Sequence, residues 1–206
     1  VANFEQAAAE IVALCRRAYA RGWVLGTSGN FSAVVSDVPL RLAVTASGID
    51  KGRVHAGQIL EVDATGRTAD AELRPSAELS LHLAVVRAKA ARAVAHTHSA
   101  WSTLVSDRHA AAGGIAIEGY EMLKGLRGVT THAHREWLPI IENTQDWPAE
   151  APRVEALLQR HSDSRGFLIR RHGLYTWGED VAEAGRHLEV LEFLLEVSGR
   201  AELATR

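Results

Sequence analysis

The chain has 206 residues, enough for one well-buried domain and short for two. Hydrophobic residues make up 47% of it, and 23 Lys+Arg nearly balance 25 Asp+Glu, a composition that excludes a disordered chain and a polybasic nucleic-acid binder. No run approaches the roughly 20 apolar residues that span a bilayer, so no membrane partner is expected; Cys15 is the single cysteine, which rules out an intrachain disulfide and suits a cytoplasmic location.

Residues 4–20 predict an amphipathic helix with Ile11, Leu14 and Ala18 on one face, Cys15 buried among them, and Arg16, Arg17 and Arg21 off it. Gly22 is its stop, and the pattern is not that of a secretory signal. Strand-like runs follow over 30–35, 40–45 and 58–62, separated by the Gly, Ser and Asp turns that suit antiparallel pairing. Ser76 is placed to cap a helix reaching Lys89, with Leu79, Leu83 and Val86 as its apolar side. The apolar run 93–95 leads into His96-Thr97-His98. Helices over 100–107 and 120–126, a strand over 137–141, a helix opened by Pro152 and a strand over 166–169 come next. Val181, Ala184, Leu188, Leu191 and Leu195 mark the last helix, with Glu179 or Asp180 at its positive end and His187 expected at a surface or interface. The expected fold class is α/β: one domain over 1–206, a mainly antiparallel central sheet covered by helices.

The chemistry starts at His96 and His98. Alternate side chains of a strand share a face, so two imidazoles two residues apart can grip one divalent cation. A catalytic zinc usually takes three protein ligands, and the best third donor is His172, just beyond the strand 166–169. Imidazole also binds manganese, iron and cobalt. Gly26-Thr27-Ser28-Gly29-Asn30-Phe31-Ser32 and Thr45-Ala46-Ser47-Gly48 are small, hydroxyl-rich and glycine-rich, as phosphate-binding loops must be, yet fit neither the P-loop nor the dinucleotide fingerprint. With Ser76 at a helix start and Lys51 nearby, they point to a sugar phosphate held by Ser28, Gly29, Asn30, Ser47, Gly48, Lys51 and Ser76. Glu78 and Glu121 are the carboxylates nearest these motifs, each with an ordinary helix-surface alternative.

These stretches, together with Pro75-Ser76-Ala77-Glu78 and Arg171-His172-Gly173, resemble the class II aldolase/adducin family. The resemblance is closest to its methylthioribulose-1-phosphate dehydratase branch, through Glu118-Gly119-Tyr120-Glu121-Met122-Leu123-Lys124-Gly125, Pro139-Ile140-Ile141-Glu142-Asn143-Thr144 and Leu174-Tyr175-Thr176-Trp177-Gly178. It implies a three-layer class II aldolase-like fold and a homotetramer with active sites near subunit boundaries. It implies one zinc ion per subunit on His96, His98 and His172, and a hydro-lyase of methionine salvage that dehydrates 5-methylthioribulose 1-phosphate to 2,3-diketo-5-methylthiopentyl 1-phosphate. Glu121 matches the acid–base glutamate of the branch, and Glu78 the aldolase glutamate that serves as base or resting metal ligand. Where the aldolases carry two adjacent serines, this chain has Ser76-Ala77, a departure that disfavours the rival sugar-phosphate aldolase or epimerase. A non-enzymatic adducin-like module would not need the three histidines. Phe31, Trp101 and Tyr175 are the aromatic candidates for lining a methylthio pocket, and His132 and His134 have no assigned role.

Overall fold

In the computed structural model, which describes residues 3–70 and 72–204, the first helix is α1 (Phe4–Ala20), capped by the Asn3 side chain on the Gln6 amide. Strands β1 (Asn30–Asp37), β2 (Leu40–Thr45) and β3 (Ile59–Asp63) follow, then α2 (Leu79–Lys89), β4 (Ala93–Thr97) and α3 (Ala100–His109). The remainder is β5 (Gly114–Glu118), β6 (Arg135–Ile141), α4 (Trp147–Arg160), β7 (Gly166–Ile169), β8 (Gly173–Gly178) and α5 (Val181–Ala204).

The eight strands form one sheet in the order β3-β2-β1-β4-β8-β7-β6-β5, antiparallel except where β6 and β7 run parallel. The expected mainly antiparallel α/β architecture is therefore present. Strand parity sorts the core into two layers. Ala93 and Ala95 of β4 and Leu174 of β8 pack with Ile11, Leu14, Leu188 and Leu191 of α1 and α5. Val94, Tyr175 and Trp177 point the other way, into Leu81, Val85, Val154 and Leu158 of α2 and α4. Each such buried leucine contributes about 1.5–3 kcal/mol relative to exposure.

Several local expectations give way. Two strands, β5 and β8, were not anticipated. Ser76 does not cap α2: its hydroxyl accepts from the Glu78 amide at 3.3 Å, and Glu78 itself occupies the cap position. Asp146 caps α4 and a proline in the first two positions opens it, so Pro152 lies inside the helix rather than at its start. The turn expected as a helix over 120–126 is a 3-10 segment, Glu121–Gly125. His187 is buried, not at a surface, because its ring finds two backbone partners: Nδ1–H donates to the Trp177 carbonyl at 2.7 Å and Nε2 accepts from the Arg127 amide at 3.0 Å.

The close pairing of β4 with β8 requires glycine at the head of β8. A Cβ on Gly173 would lie 1.8 Å from the Thr97 carbonyl oxygen and 3.2 Å from His96 Cε1. Backbone cannot yield as a flexible side chain can, so Gly173→Ala should destabilise the protein by at least about 2 kcal/mol, the range of an overpacked core. The urea midpoint measures this; an unchanged midpoint would mean the two strands separate at no cost.

Candidate metal centre

The end of β4 and the turn between β7 and β8 bring three rings together. His96 is the penultimate residue of β4 and His98 lies just beyond it, its amide donating to the Trp23 carbonyl at 2.8 Å. His172 ends the turn that joins β7 to β8, where Arg171 takes the left-handed φ of 54° that bulky residues rarely adopt. Asp107 accepts from both Arg170 Nε and Arg171 Nε at 2.9 Å and holds that turn against α3. His98 Nε2 stands 2.8 Å from His96 Nε2 and 3.0 Å from His172 Nε2, and the His96–His172 separation is 3.3 Å. Glu78 completes the set, with Oε2 3.3 Å from His96 Nε2 and Oε1 3.0 Å from His172 Nε2.

The hydrogen bonds behind the rings say which nitrogens carry lone pairs. His96 Nδ1–H donates to the Leu174 carbonyl at 2.9 Å, and His172 Nδ1–H to Asn143 Oδ1 at 3.2 Å. In neutral rings both Nε2 atoms are then acceptors, facing each other and a carboxylate. Burial favours the neutral form of two of the rings: it drives His96 well below the ordinary imidazole range and His98 down to about 4. Burial alone would raise the Glu78 carboxyl; the Asn30 amide that donates to it works the other way and favours its ionised form. A single His98 proton cannot satisfy so many acceptors. A divalent cation can, and nitrogens 2.8–3.3 Å apart are close to the edge of a tetrahedron with bonds of about 2.1 Å. The four residues thus fit a metal, as their common reach of 4.8 Å also implies.

Behind Glu78 lies a chain of buried polar groups that the sequence reading missed. Asn30 Nδ2 donates to Glu78 Oε2 at 2.6 Å and to Ser76 Oγ at 3.2 Å. Asn30 Oδ1 bonds His82 Nε2, and His82 Nδ1 lies 2.7 Å from Ser32 Oγ. The Tyr175 hydroxyl also donates to Glu78 Oε2, at 3.2 Å, while its ring stacks on His96 with centroids 4.0 Å apart.

A cavity of about 570 Å³ opens onto this centre. Its walls include Ser28, Gly29, Asn30, Ser47, Gly48, Lys51 and Ser76, so both glycine-rich loops and the residues expected to hold phosphate meet beside His98, His172 and Glu78. Lys51 is buried, with Nζ donating at 3.0 Å to the carbonyls of Thr27 and Ile49, one bond to each loop's neighbourhood. Burial lowers its pKa, and among the described residues it forms no ion pair. The aromatic wall is Trp147; Phe31, Trp101 and Tyr175 do not line the cavity, because Phe31 and Tyr175 are core and Trp101 packs on Gly199. Glu121 is also outside it. Its side chain is 72% exposed and bonds Lys124 at 2.6 Å, with His132 3.8 Å away. His134 pairs with the buried Glu136, which also holds Arg165, so it belongs to a structural ion cluster.

Protein purified without added metal should carry about one divalent ion per chain, and His98→Ala should lose most of it, since only two imidazoles and the Glu78 carboxylate then remain. Elemental analysis decides. Full metal content in a folded His98→Ala protein would remove this histidine from the ligand set.

Methylthioribulose-1-phosphate dehydratase of Sorangium cellulosum is 45% identical over 197 residues, covering 95% of this chain and 92% of that protein. The protein of the same name from Methylococcus capsulatus is 45% identical over 199 residues, covering 96% and 95%. Among solved structures, L-fuculose-1-phosphate aldolase from Thermus thermophilus superposes with a TM-score of 0.74 at 23% identity, covering 95% of this chain and 94% of that one, a likeness of fold. Residues 9–198 match the model of the class II aldolase and adducin N-terminal domain, and the chain belongs to that family.

Proposed function

We propose that this chain is a divalent-metal hydro-lyase that converts 5-methylthioribulose 1-phosphate to 2,3-diketo-5-methylthiopentyl 1-phosphate, with zinc as its ion. The observation that carries the reading is one cavity in which a three-histidine, one-carboxylate donor set adjoins two hydroxyl- and amide-rich loops and a buried lysine. A sugar phosphate has the two matching ends. Identity of 45% to named dehydratases over nearly the whole chain selects this substrate among sugar phosphates.

A bound divalent ion would supply the Lewis acidity that acidifies the C3 proton. His96, His98 and His172 would hold it. Ser28, Gly29, Asn30, Ser47, Gly48, Ser76 and the Lys51 charge bind the phosphate and fix the sugar chain. A carboxylate takes the proton from C3, the C3–C4 double bond forms as the C4–O bond breaks, and an acid delivers a proton to the departing hydroxyl so that water leaves. The enol then tautomerises to the diketone. Glu78 is the carboxylate held inside the cavity. Glu121 lies outside the cavity of its own chain, so its acid–base role places it in the cavity of a neighbouring copy, within a closed homotetramer.

Incubation of the metal-loaded protein with 5-methylthioribulose 1-phosphate should produce the diketone; no turnover of this substrate, with turnover of an unmodified pentose or hexose phosphate, would replace the reading by an aldolase or epimerase. Glu121→Gln should cost at least about a hundredfold in turnover with metal content preserved, the contribution of a placed acid–base group. Normal turnover in Glu121→Gln, with a large loss in Glu78→Gln, would give both proton transfers to Glu78.

Light scattering should return four times the chain mass. Mixing Glu121→Gln subunits with subunits lacking the His98 ligand should restore activity if the glutamate acts across the boundary. A fully active monomer would end the shared-site arrangement.

A further inference from the structure

We infer that His82 is a positioning residue for the metal centre: it locks the amide of Asn30 in the one orientation that donates to Glu78, and so sets how the Glu78 carboxylate faces the metal. The inference rests on the reading of the four-residue cluster as a divalent-metal site and does not depend on the identity of the substrate.

The geometry leaves one direction for every bond. A carboxylate oxygen only accepts, so the Asn30 atom 2.6 Å from Glu78 Oε2 is the NH2 group. Rotating the amide by half a turn would set its oxygen against the carboxylate. The other end of the amide is therefore its oxygen, and the His82 Nε2 that bonds it must carry the proton. A neutral imidazole has a single N–H, so Nδ1 is left with a lone pair and Ser32 Oγ–H donates to it across 2.7 Å. The run Ser32→His82→Asn30→Glu78 points throughout toward the carboxylate, and each bond polarises the next. None of these residues is exposed: His82 is 0%, Ser32 1%, Asn30 4% and Glu78 8% accessible. Water cannot substitute for a missing member.

The consequence is a division between the two oxygens of Glu78. Oε2 receives Asn30 Nδ2 and the Tyr175 hydroxyl and also lies 3.3 Å from His96 Nε2, while Oε1 faces His172 Nε2 with no hydrogen bond from this run. Without His82, the Asn30 oxygen is an unsatisfied buried acceptor, the amide is free to turn, and the carboxylate loses its fixed presentation. The scaffold explains why these residues meet. Asn30 and Ser32 are two apart on β1 and share a face; Glu78 and His82 are four apart across the start of α2 and share a face.

The test reads metal release. Zinc-loaded protein is challenged with a colorimetric chelator, for wild type, His82→Leu, His82→Gln, Asn30→Ala and the His82→Leu/Asn30→Ala pair. His82→Leu and Asn30→Ala should each release zinc at least about fivefold faster, the scale of one ordinary lost hydrogen bond. His82→Gln, which restores an N–H toward Asn30, should recover much of the difference. The double variant should release no faster than Asn30→Ala alone, because His82 acts only through the amide. Equal effects of His82→Leu in both backgrounds, or wild-type release in His82→Leu, would overturn the inference. If leucine prevents folding, His82→Met, which likewise lacks an N–H, replaces it in both backgrounds and carries the same cycle. Zinc release that responds to these variants in a protein that does not turn over methylthioribulose phosphate keeps this inference and rejects only the substrate.

Discussion

Lone pairs that converge on one point repel, and the head of this sheet is built around that constraint. The Nε2 atoms of His96 and His172 are acceptors because their Nδ1 protons are committed to Leu174 and Asn143, and the Glu78 carboxylate adds two more acceptors at 3.0 and 3.3 Å. Such a cluster is unfavourable alone and strongly favourable around a cation. Burial that disfavours protonation of His96 and His98 also removes the competing proton, so the same desolvation that disfavours charge prepares these two ligands. The second contacts of each ring fix its tautomer, which is how outer partners tune a metal site.

The scaffold holds this arrangement from both faces of β4. On the α2 side, Tyr175 stacks on His96 and Phe167 stacks on Tyr175, with centroids 4.8 Å apart, so the ring cannot swing away. On the α5 side, Thr97 donates to the buried Glu192 at 2.5 Å, pinning the residue between the two histidines. Burial pushes the Glu192 carboxyl up to about 7, and the Thr97 and Ser99 hydroxyls work against that rise. Gly173 lets β8 approach close enough to set the Leu174 carbonyl on His96. Each feature is a fold property, and each acts on the position of an imidazole.

The parts of this structure legible in the sequence are those with a clean period. Residues 4–20, 40–45 and 166–169 form the elements their patterns predict, and His96 and His98 project together because a strand alternates. β8 carried no such pattern: it is buried on both faces, so polar and apolar residues do not alternate along it, and its flanking glycines look like turn residues. His187 looked exposed because periodicity counts a histidine as polar, whereas two backbone partners make it a satisfied core residue. His82 was hidden for the same reason. The spacing of Asn30 with Ser32, and of Glu78 with His82, was the available signal, but nothing local tells a histidine on an apolar helix face that a strand amide will meet it. Glu121 shows the opposite failure, a motif recognised by resemblance whose side chain lies outside the cavity of its own chain, on Lys124.

The cavity carries two opposite electrostatic demands. A carboxylate and three imidazoles form a cation-seeking cluster. Lys51, which lines the same cavity, is buried and donates to two carbonyls, with no carboxylate paired to it among the described residues, a state that costs free energy until an anion approaches. A ligand that carries both an anion and a polarisable oxygen answers both demands, and does so only with its anion toward the lysine; the reverse would set the anion against Glu78.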